Sequence, residues 1–396
     1  MYLKKLELKN YRNYSDIKLN FDKNTVLILG NNGNGKTNLL ESIYYLSSGR
    51  SHRTYIQDEI IKWGSDCSII RALTGSDESD KKDCLIEIEI RRGNGIKIRV
   101  DEIYRKKKSD FISILPSIIF SPDDLKIVKS GPLERRNFLD SILERTDQQY
   151  FRQRLQYNKI LTQRNSLIKS MGGITEDNAG STLETWNENM VKYGTGIMEK
   201  RYKLLAEFRD DFKGYVSSFF KKAGVDIFYV FSWERGDDLY SYNNADLSNN
   251  GSRTKNIFNI SDLKDTFTRK LKQSLERDLM YKTTTIGPHR DDFAILLDGK
   301  NIRSFGSQGQ QRIASISLKL CELNILKERF KKDPILLLDD VFSELDIDRK
   351  KILVKIIGSG FQTFVTATNI SYIDKLDLEF GSKFLLKDDK IAVSGL

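Results

Sequence analysis

The stretch "GNNGNGKT" (residues 30–37) has the residue types and spacing of a loop that binds the phosphates of a nucleotide. Its three glycines let successive backbone amides face a phosphate at the positive end of the following helix. Lys36 is predicted to reach the β- and γ-oxygens, and Thr37 to ligate Mg²⁺. The alternative is a glycine-rich turn that binds nothing. The predicted nucleotide-binding residues are Gly30, Asn31, Asn32, Gly33, Asn34, Gly35, Lys36, Thr37 and Asn38.

A second stretch, "PILLLDD" (residues 334–340), places two carboxylates after a run of apolar residues. Such a run is typical of a strand buried on both faces, and open α/β sheets bind ligands at the carboxyl ends of their strands. Asp339 is predicted to hold Mg²⁺ through water, and Asp340 to act as the general base that polarises the attacking water. Alternatively, Asp340 is only a helix N-cap.

The third stretch, "GSQGQQR" (residues 306–312), is a polar loop that runs into a helix and contains no lysine. The hydroxyl of Ser307, the amide of Gly309 and the helix N-terminus, with Gln310, could still bind a phosphate. Alternatively, Ser307 only caps the helix. Four apolar residues are spaced so that one face of this helix packs in the core. They are Ile313, Ile316, Leu320 and Leu323.

The order and separation of these stretches are those of ABC-type ATPases. Lys36 and Asp339 lie about 300 residues apart, with a helical arm between them. In that class the serine-containing loop contacts the γ-phosphate of ATP that the other subunit holds. We therefore predict that ATP joins two copies of the chain face to face, with Ser307 and Lys36 contributing to catalysis together with Asp340.

Composition limits the classes of protein to consider. The 396 residues are 39% hydrophobic and 30% charged, as in folded globular proteins. No run approaches the roughly 20 apolar residues that cross a bilayer, so we expect a cytoplasmic protein without a membrane partner. Three scattered cysteines are expected to be ordinary buried thiols. The net charge of +10 favours a polyanionic partner, most simply nucleic acid.

The expected fold class is α/β. We predict an ABC-type P-loop ATPase lobe with a mixed sheet and an antiparallel meander (about residues 67–100), plus an inserted, mainly helical lobe without a long coiled coil. Two further strands are expected after residue 340, and residues 240–256 are predicted to form a mobile loop. The predicted domains are residues 1–122 and 305–396 for the ATPase lobe and residues 123–304 for the inserted lobe.

Motifs along nearly the whole chain resemble those of the RecF family of bacterial DNA replication and repair ATPases. They are "LKNYRNY" (8–14), "GNNGNGKTNLLESIYYLSSGRSHRT" (30–54), "FSPDDLKIVKSGPLERRNFLD" (120–140), "QRN" (163–165), "GPHRDDF" (287–293), "SQGQQR" (307–312) and "LLLDDVFSELD" (336–346). The resemblance implies ATP-dependent binding to boundaries of single- and double-stranded DNA near gaps, and joint loading of a recombinase with RecO and RecR.

Two features predict slow hydrolysis. Asp340 stands where better-known ABC-type ATPases have glutamate, which is one methylene longer, and a misplacement of about 1 Å can cost roughly a hundredfold in rate. Thr368 and Asn369 follow the strand "FQTFVTA", where a transporter ATPase would have a histidine. We expect a weak, DNA-dependent ATPase in which slow ATP hydrolysis sets how long the dimer stays closed on DNA.

Basic residues that could contact DNA phosphates give a weaker signal than the nucleotide site, because each is also an ordinary surface charge. Arg53 is the favoured candidate, since it follows the phosphate-loop helix. The candidates are Arg53, Arg91, Arg92, Lys106, Lys107, Arg135 and Arg136. The motif "GPHRDDF" is expected to be a structural turn, with no catalytic role for His289.

Two other functions remain open at this point. The chain could be the energising subunit of a transporter, although the missing histidine and the basic charge argue against it. It could also be an architectural protein of the SMC type, but it lacks a coiled coil and would share only the head-domain chemistry.

Overall fold

The computed structural model describes residues 1–22, 24–54, 56–76, 82–105, 109–171, 176–220, 224–234, 262–358, 360–373, 376, 378–387 and 390–393. They form two compact units. The first contains Met1–Asp124 and Glu322–Leu396, and the second contains Leu125–Cys321.

A six-stranded sheet in the first unit carries the predicted phosphate loop. Its strands lie in the order β15-β14-β3-β13-β12-β8, and all neighbours are parallel except β14 and β15. The strands are β3 (Thr25–Gly30), β8 (Ser117–Phe120), β12 (Ile335–Asp339), β13 (Thr363–Ala367), β14 (Phe380–Lys387) and β15 (Lys390–Val393). Because β3 has a parallel partner on each side, its carboxyl end opens toward ligands as in other open α/β sheets.

A second six-stranded sheet of the first unit is antiparallel throughout, in the order β2-β1-β4-β5-β6-β7. Its strands are β1 (Tyr2–Tyr11), β2 (Tyr14–Asn20), β4 (Cys67–Gly75), β5 (Cys84–Arg91), β6 (Gly95–Val100) and β7 (Ile103–Arg105). Alternate residues such as Ile86, Ile88 and Ile90 are fully buried, so one face of this sheet packs in the core. The predicted meander is confirmed.

Helix α1 (Lys36–Ser48) contributes to the same core as both sheets. Leu39, Leu40, Ile43 and Leu46 are fully buried in it. Two further helices of this unit are α2 (Ser109–Ile112) and α11 (Ile347–Ile357). The phosphate loop is thus positioned by a helix that has almost no solvent-facing side.

The second unit is mainly helical. Helix α6 (Glu176–Phe219), about 66 Å long at 1.5 Å per residue, packs along α5 (Gln148–Ser170). Further helices among the described residues of this unit are α3 (Leu125–Lys129), α4 (Pro132–Thr146), α7 (Leu263–Gln273), α8 (Leu275–Tyr281) and α9 (Ile302–Phe305). A three-stranded antiparallel sheet is formed by β9 (Val225–Val230), β10 (Asp292–Leu297) and β11 (Lys300–Asn301).

Helix α10 (Gln308–Phe330) begins in the second unit and ends in the first. The boundaries therefore differ from the predicted ones: the second unit extends to Cys321 rather than residue 304, and includes the serine-containing loop. The sequence did not indicate this boundary, because α10 continues without interruption from the second unit into the first.

Three smaller predictions also differ from the structure or fall outside it. Three strands, not two, follow residue 340, because the segment after β13 forms both β14 and β15. All three cysteines are free, but only Cys321 is buried, while Cys67 and Cys84 are half-buried. Residues 240–256 lie outside the described residues. No helix in the described ranges is both long and apolar enough to cross a bilayer.

Candidate nucleotide site

The phosphate loop joins β3 to α1 and is held by groups from elsewhere in the first unit. Gly33 and Gly35 adopt positive φ values of 89° and 88°. The side-chain amide of Asn34 donates to the carbonyl of Leu386 at 2.9 Å, and the hydroxyl of Tyr14 donates to the carbonyl of Gly35 at 3.0 Å. The loop is therefore anchored to β14 on one side and to β2 on the other.

Lys36 lies at the first residue of α1 and is 4% exposed. Its Nζ donates to the carbonyls of Gly30 at 2.8 Å and Asn31 at 3.2 Å, and lies 3.9 Å from Oδ2 of Asp340. The ammonium group is thus held inside the curve of the loop, where an incoming phosphate could take over its interactions.

Thr37 and Asp339 meet as predicted for a Mg²⁺ site. The hydroxyl of Thr37 donates to Oδ2 of Asp339 at 2.8 Å, and the hydroxyl of Thr366 donates to Oδ1 at 2.8 Å. Burial raises the pKa of Asp339, against the effect of these two hydrogen bonds. A hydroxyl and a carboxylate are ligands that Mg²⁺ takes when phosphates and water complete its shell, so the residues fit the ion.

Asp340 differs from Asp339 in having an unsatisfied oxygen. Its Oδ1 is buried without a hydrogen-bond partner, and its pKa is raised by burial and lowered by Lys36, with the net change upward. It precedes a 3₁₀ turn, Val341–Glu344, but its side chain makes no capping bond. Asp340 therefore occupies the N-cap position of this turn without capping it through its side chain. Its unsatisfied oxygen has no partner that would keep it from acting as a general base.

A chain of polar contacts runs from the start of α1 to Arg53. The side-chain amide of Asn38 donates to Oδ1 of Asn13 at 2.7 Å, and Nη1 of Arg53 donates to Oδ1 of Asn38 at 2.8 Å. Arg53 is exposed. Arg53, a predicted DNA contact, is thus hydrogen-bonded to Asn38, which directly follows the predicted Mg²⁺ ligand Thr37.

Sequence reasoning missed Glu41, a fully buried acid on α1. Arg12 binds it through Nε at 2.8 Å and Nη2 at 2.6 Å, and the hydroxyl of Ser51 also donates to it. Ser51 in turn accepts from the backbone amides of Arg53 and Thr54. The signal was available, because a glutamate on the apolar face of a helix requires a partner.

The serine-containing loop forms a capping box at the start of α10. The amide of Ser307 donates to Oε1 of Gln310 at 2.8 Å, and the amide of Gln310 donates to Oγ of Ser307 at 3.3 Å. Gln311 donates to the carbonyls of Ile302 and Arg303. Ser307 is exposed, and the four apolar residues predicted to anchor the helix are all at most 5% exposed. The cap leaves Ser307 accessible to a ligand.

The other predicted DNA contacts divide into exposed and buried residues. Arg91 and Arg92 are exposed and pair with Glu89 and Asp58. Arg135 does not face solvent: it is 5% exposed and its guanidinium pairs with both oxygens of Asp292. Arg136 is half-buried and donates to the carbonyl of Asp291 at 2.8 Å. Lys106 and Lys107 lie outside the described residues.

Arg135 is therefore corrected to a structural residue. Helical spacing could not reveal this, because its partner Asp292 lies on β10, a strand far away in the sequence. No described group of three or more histidine, cysteine, aspartate or glutamate side chains could hold a metal ion. A Mg²⁺ site built from one hydroxyl and one carboxylate has no need of such a group.

Comparisons with known proteins find relatives that are similar along nearly the whole chain. Residues 2–385 match the family model described as the RecF/RecN/SMC N terminal domain. A protein of Clostridium acetobutylicum named DNA replication and repair protein RecF is 37% identical over 393 residues, covering 99% of both chains. The same-named protein of Clostridium tetani is 36% identical over 375 residues, covering 95% of both.

The chain belongs to the RecF family. A solved structure described as the recombination mediator protein RecF with ATP in the RecFOR pathway is 34% identical and has a TM-score of 0.83. The match covers 100% of this chain and 98% of that one. An Smc head bound to the C-winged helix domain of ScpA, 15% identical with a TM-score of 0.53 and covering 100% and 98%, shares the fold. The α/β ATPase fold predicted from the sequence is confirmed.

Proposed function

We propose that this RecF-family chain is an ATP-dependent DNA-binding protein of replication and recombinational repair, acting in the cytoplasm. One observation carries the nucleotide part: Lys36, Thr37, Asp339 and Asp340 meet at the carboxyl edge of one sheet. The relatives named DNA replication and repair protein RecF, and the solved RecF bound to ATP, support the assignment.

The described residues have distinct tasks in ATP hydrolysis. Lys36 leaves its two loop carbonyls and neutralises β- and γ-phosphate oxygens, while the loop amides bind the β-phosphate. Thr37 and Asp339 would hold Mg²⁺, which would offset charge on the phosphates. Asp340 orients the attacking water and accepts its proton through the oxygen that has no other partner.

Hydrolysis is proposed to be weak and stimulated by DNA. The shorter aspartate sets the base further from the γ-phosphate than a glutamate would, and Thr368 and Asn369 provide no histidine beside it. The hydrogen bond from Arg53 to Asn38 supports the DNA dependence. A phosphate that draws Arg53 away from Asn38 alters the first turn of α1, which also carries Lys36 and Thr37.

The dimer is proposed to form through the loop of Ser307, Gly309 and Gln310. In one copy, the Ser307 hydroxyl turns from its capping bond to a γ-phosphate oxygen of the ATP that the other copy holds, and the Gly309 amide adds a second donor. ATP therefore joins two copies, and hydrolysis releases them.

The partners follow from the family. We propose that the dimer binds double-stranded and single-stranded DNA and their junctions at gaps, and that with RecO and RecR it helps to load a recombinase. The solved RecF structures, described as a recombination mediator in the RecFOR pathway, support these partners.

Light scattering and binding of a fluorescent ATP analogue test the proposal together. Wild-type protein is expected to bind ATP with Mg²⁺ and to double in mass. Lys36→Met is expected to abolish ATP binding, whereas Ser307→Arg keeps ATP binding and stays monomeric. Lys36→Arg, which keeps the charge, is the matched control for Lys36. A wild-type chain that binds ATP but remains monomeric, or a Ser307→Arg variant that still pairs, would overturn the trans arrangement.

A further inference from the structure

The motif "GPHRDDF" and the helix before it contain several buried ionisable side chains, all in the second unit. Nδ1 of His289 lies 2.7 Å from the hydroxyl of Tyr157, and burial lowers the pKa of His289 to about 3, so the ring is neutral. Asp291 accepts from the hydroxyl of Tyr229 and from the backbone amide of Ser232, both at 2.7 Å. These groups fix the shape of the segment rather than bind a ligand.

The buried acid of the neighbouring helix is also fully engaged. Asp278 at the core-facing side of α8 accepts from Nη1 of Arg164 at 2.9 Å, and both residues are fully buried. Its other oxygen accepts from the amide and hydroxyl of Thr285. Each carboxylate oxygen of Asp278 and Asp291 thus accepts at least one hydrogen bond from within the second unit.

Two exposed arginines, Arg277 and Arg290, directly precede these acids in the sequence. Nε of Arg277 donates to the hydroxyl of Thr285 at 3.0 Å, and Nε of Arg290 donates to the carbonyl of Thr284 at 3.4 Å. Among the described residues, no carboxylate lies within ion-pair distance of either. The two guanidinium groups are thus anchored by Nε to consecutive residues, with their terminal nitrogens available to an anion.

An open cleft of about 450 Å³ lies between these arginines. Thr283 and Tyr281 line it, and Tyr281 is 61% exposed at the end of α8. Lys282 directly after it has a positive φ of 52° and adds a third exposed cation. An exposed aromatic ring beside paired arginines is the combination that binds an unpaired base and its phosphate.

We propose that this cleft binds single-stranded nucleic acid, with one phosphate held by Arg277 and Arg290 and an adjacent base stacked on Tyr281. The inference rests on the proposed DNA binding and adds a second contact surface, in the second unit. A single strand is favoured over a duplex because a base within a helix cannot offer its face to an exposed ring. A nucleic acid is favoured over an acidic peptide because the exposed ring of Tyr281 beside the two guanidinium groups can stack on a base that is attached to the bound phosphate.

Fluorescence anisotropy with a labelled 20-nucleotide oligo(dT) and a 20-base-pair duplex tests this in the full chain. Arg277→Gln with Arg290→Gln is expected to weaken oligo(dT) binding about tenfold and to reduce the slope of log K against log salt by about 0.7, while duplex binding changes little. Tyr281→Ala is expected to weaken oligo(dT) binding about tenfold, whereas Tyr281→Phe is expected to preserve oligo(dT) binding. The matched control is Arg269→Gln with Lys264→Gln on α7, which removes the same two charges.

Photocrosslinking of the wild-type chain to oligo(dT) with one 5-iodouracil gives a readout that requires no variant to fold. The expected crosslink maps to Tyr281. The inference is overturned if wild-type protein binds DNA but the arginine variant matches its control, or if the crosslink maps elsewhere. An arginine variant that no longer binds a glutamate-rich peptide but still binds oligo(dT) also overturns it, in favour of a protein partner. Failure of wild-type protein to bind any DNA removes the proposed function as well.

Discussion

At the residue scale, the neighbouring carboxylates of Asp339 and Asp340 have different surroundings. Both oxygens of Asp339 accept hydroxyl hydrogen bonds, from Thr37 and Thr366, whereas Oδ1 of Asp340 accepts none. Two carboxylates whose environments differ in this way can divide metal binding and proton transfer between them. The backbone helps, since Asp340 has a positive φ of 51° and its amide donates to Thr366.

Replacement of Asp340 by asparagine is therefore expected to separate binding from hydrolysis. The amide side chain would keep the shape of the carboxylate but could not accept the proton of water. Phosphate release is expected to fall by about 10²–10⁴-fold while ATP binding remains. Asp340→Glu is the matched variant that retains a base. An Asp340→Asn chain that hydrolyses ATP at the wild-type rate would show that another group is the base.

The same carboxylate predicts the pH dependence of hydrolysis. The base must be ionised, and burial raises the pKa of Asp340, so hydrolysis is expected to fall as pH drops through that raised value. The decline should begin at a higher pH than an exposed aspartate, with pKa near 3.9, would give. A rate profile for single-turnover hydrolysis measures it, and a profile that stays flat down to about pH 4 contradicts the prediction.

The pair of Arg12 and Glu41 is a second feature at this scale. Glu41 is fully buried, so Arg12→Ala leaves an uncompensated charge and is expected to cost about 3–5 kcal/mol in the free energy of unfolding. Lys5→Ala removes one partner of a more exposed pair with Glu7 and should cost under about 1 kcal/mol. Urea titration of the three chains gives the comparison. Equal destabilisation in both variants would show that Glu41 is compensated by other groups.

The contribution of Arg12 and Glu41 to the free energy of unfolding also depends on pH, in the way expected for an acid whose pKa is lowered in the folded protein. Burial alone opposes ionisation of Glu41, but hydrogen bonds from Arg12 and Ser51 outweigh it and lower the pKa. The stabilisation is therefore complete above the ordinary glutamate pKa of about 4.3, and is lost as pH falls toward the lowered folded value. The same titrations repeated from neutral pH downward are expected to show wild type converging on Glu41→Gln.

At the scale of elements, the local sequence pattern was sufficient to predict a structural feature when its strand, loop and helix follow one another in the sequence. The phosphate loop, its strand β3 and helix α1 could be predicted because glycines, lysine and threonine occur together in the sequence. The strand β12 was equally clear from its apolar run and two aspartates. Their positions two strands apart in the same sheet follow from topology, which periodicity cannot supply.

Features that join distant elements could not be predicted in this way. Arg135 looked like one exposed cation among many, because nothing near it in sequence indicates its pairing with Asp292. In "GPHRDDF", Asp291 is likewise engaged by Tyr229 on β9 and by the amide of Ser232. Burial of a charge depends on long-range contacts, and a single sequence reports only local ones.

Within the phosphate loop, two glycines with the same backbone angle are expected to differ. A Cβ on Gly35 would lie 2.6 Å from Nδ2 of Asn13 and 2.7 Å from the hydroxyl of Tyr14, whereas one on Gly33 would meet nothing within 4 Å. Gly33→Ala therefore costs only the strain of its positive φ, about 1–2 kcal/mol, but Gly35→Ala must also displace the side chains that anchor the loop. Titration with a fluorescent ATP analogue should show the larger decrease in affinity for Gly35→Ala, and equal decreases would contradict the steric argument.

At the scale of the whole molecule, the net charge of +10 favours a polyanionic partner, and each phosphate that a lysine or arginine neutralises is expected to make the proposed DNA binding depend on salt. Arg91 and Arg92 are 53% and 46% exposed, and their pairs with Glu89 and Asp58 are surface pairs. Such pairs contribute under about 1 kcal/mol each, so a DNA phosphate can replace the carboxylate at little cost. The buried ion pair of Arg135 and Asp292 offers no such exchange.

Binding of gapped, duplex and single-stranded DNA across a salt series, with and without ATP, tests whether Arg91 and Arg92 bind phosphates directly or only add to the overall positive charge. Arg91→Gln with Arg92→Gln is expected to reduce the slope of log K against log salt for duplex by about 0.9 for each phosphate that is no longer neutralised. Lys351→Gln with Lys355→Gln on α11 removes the same charge from exposed positions elsewhere in the first unit and serves as the control. If both double variants shift the slope equally, the overall field of the protein governs binding, and neither arginine binds a specific phosphate. A reduced slope in the arginine variant alone assigns phosphate binding to the C-terminal end of β5, because β5 ends at Arg91.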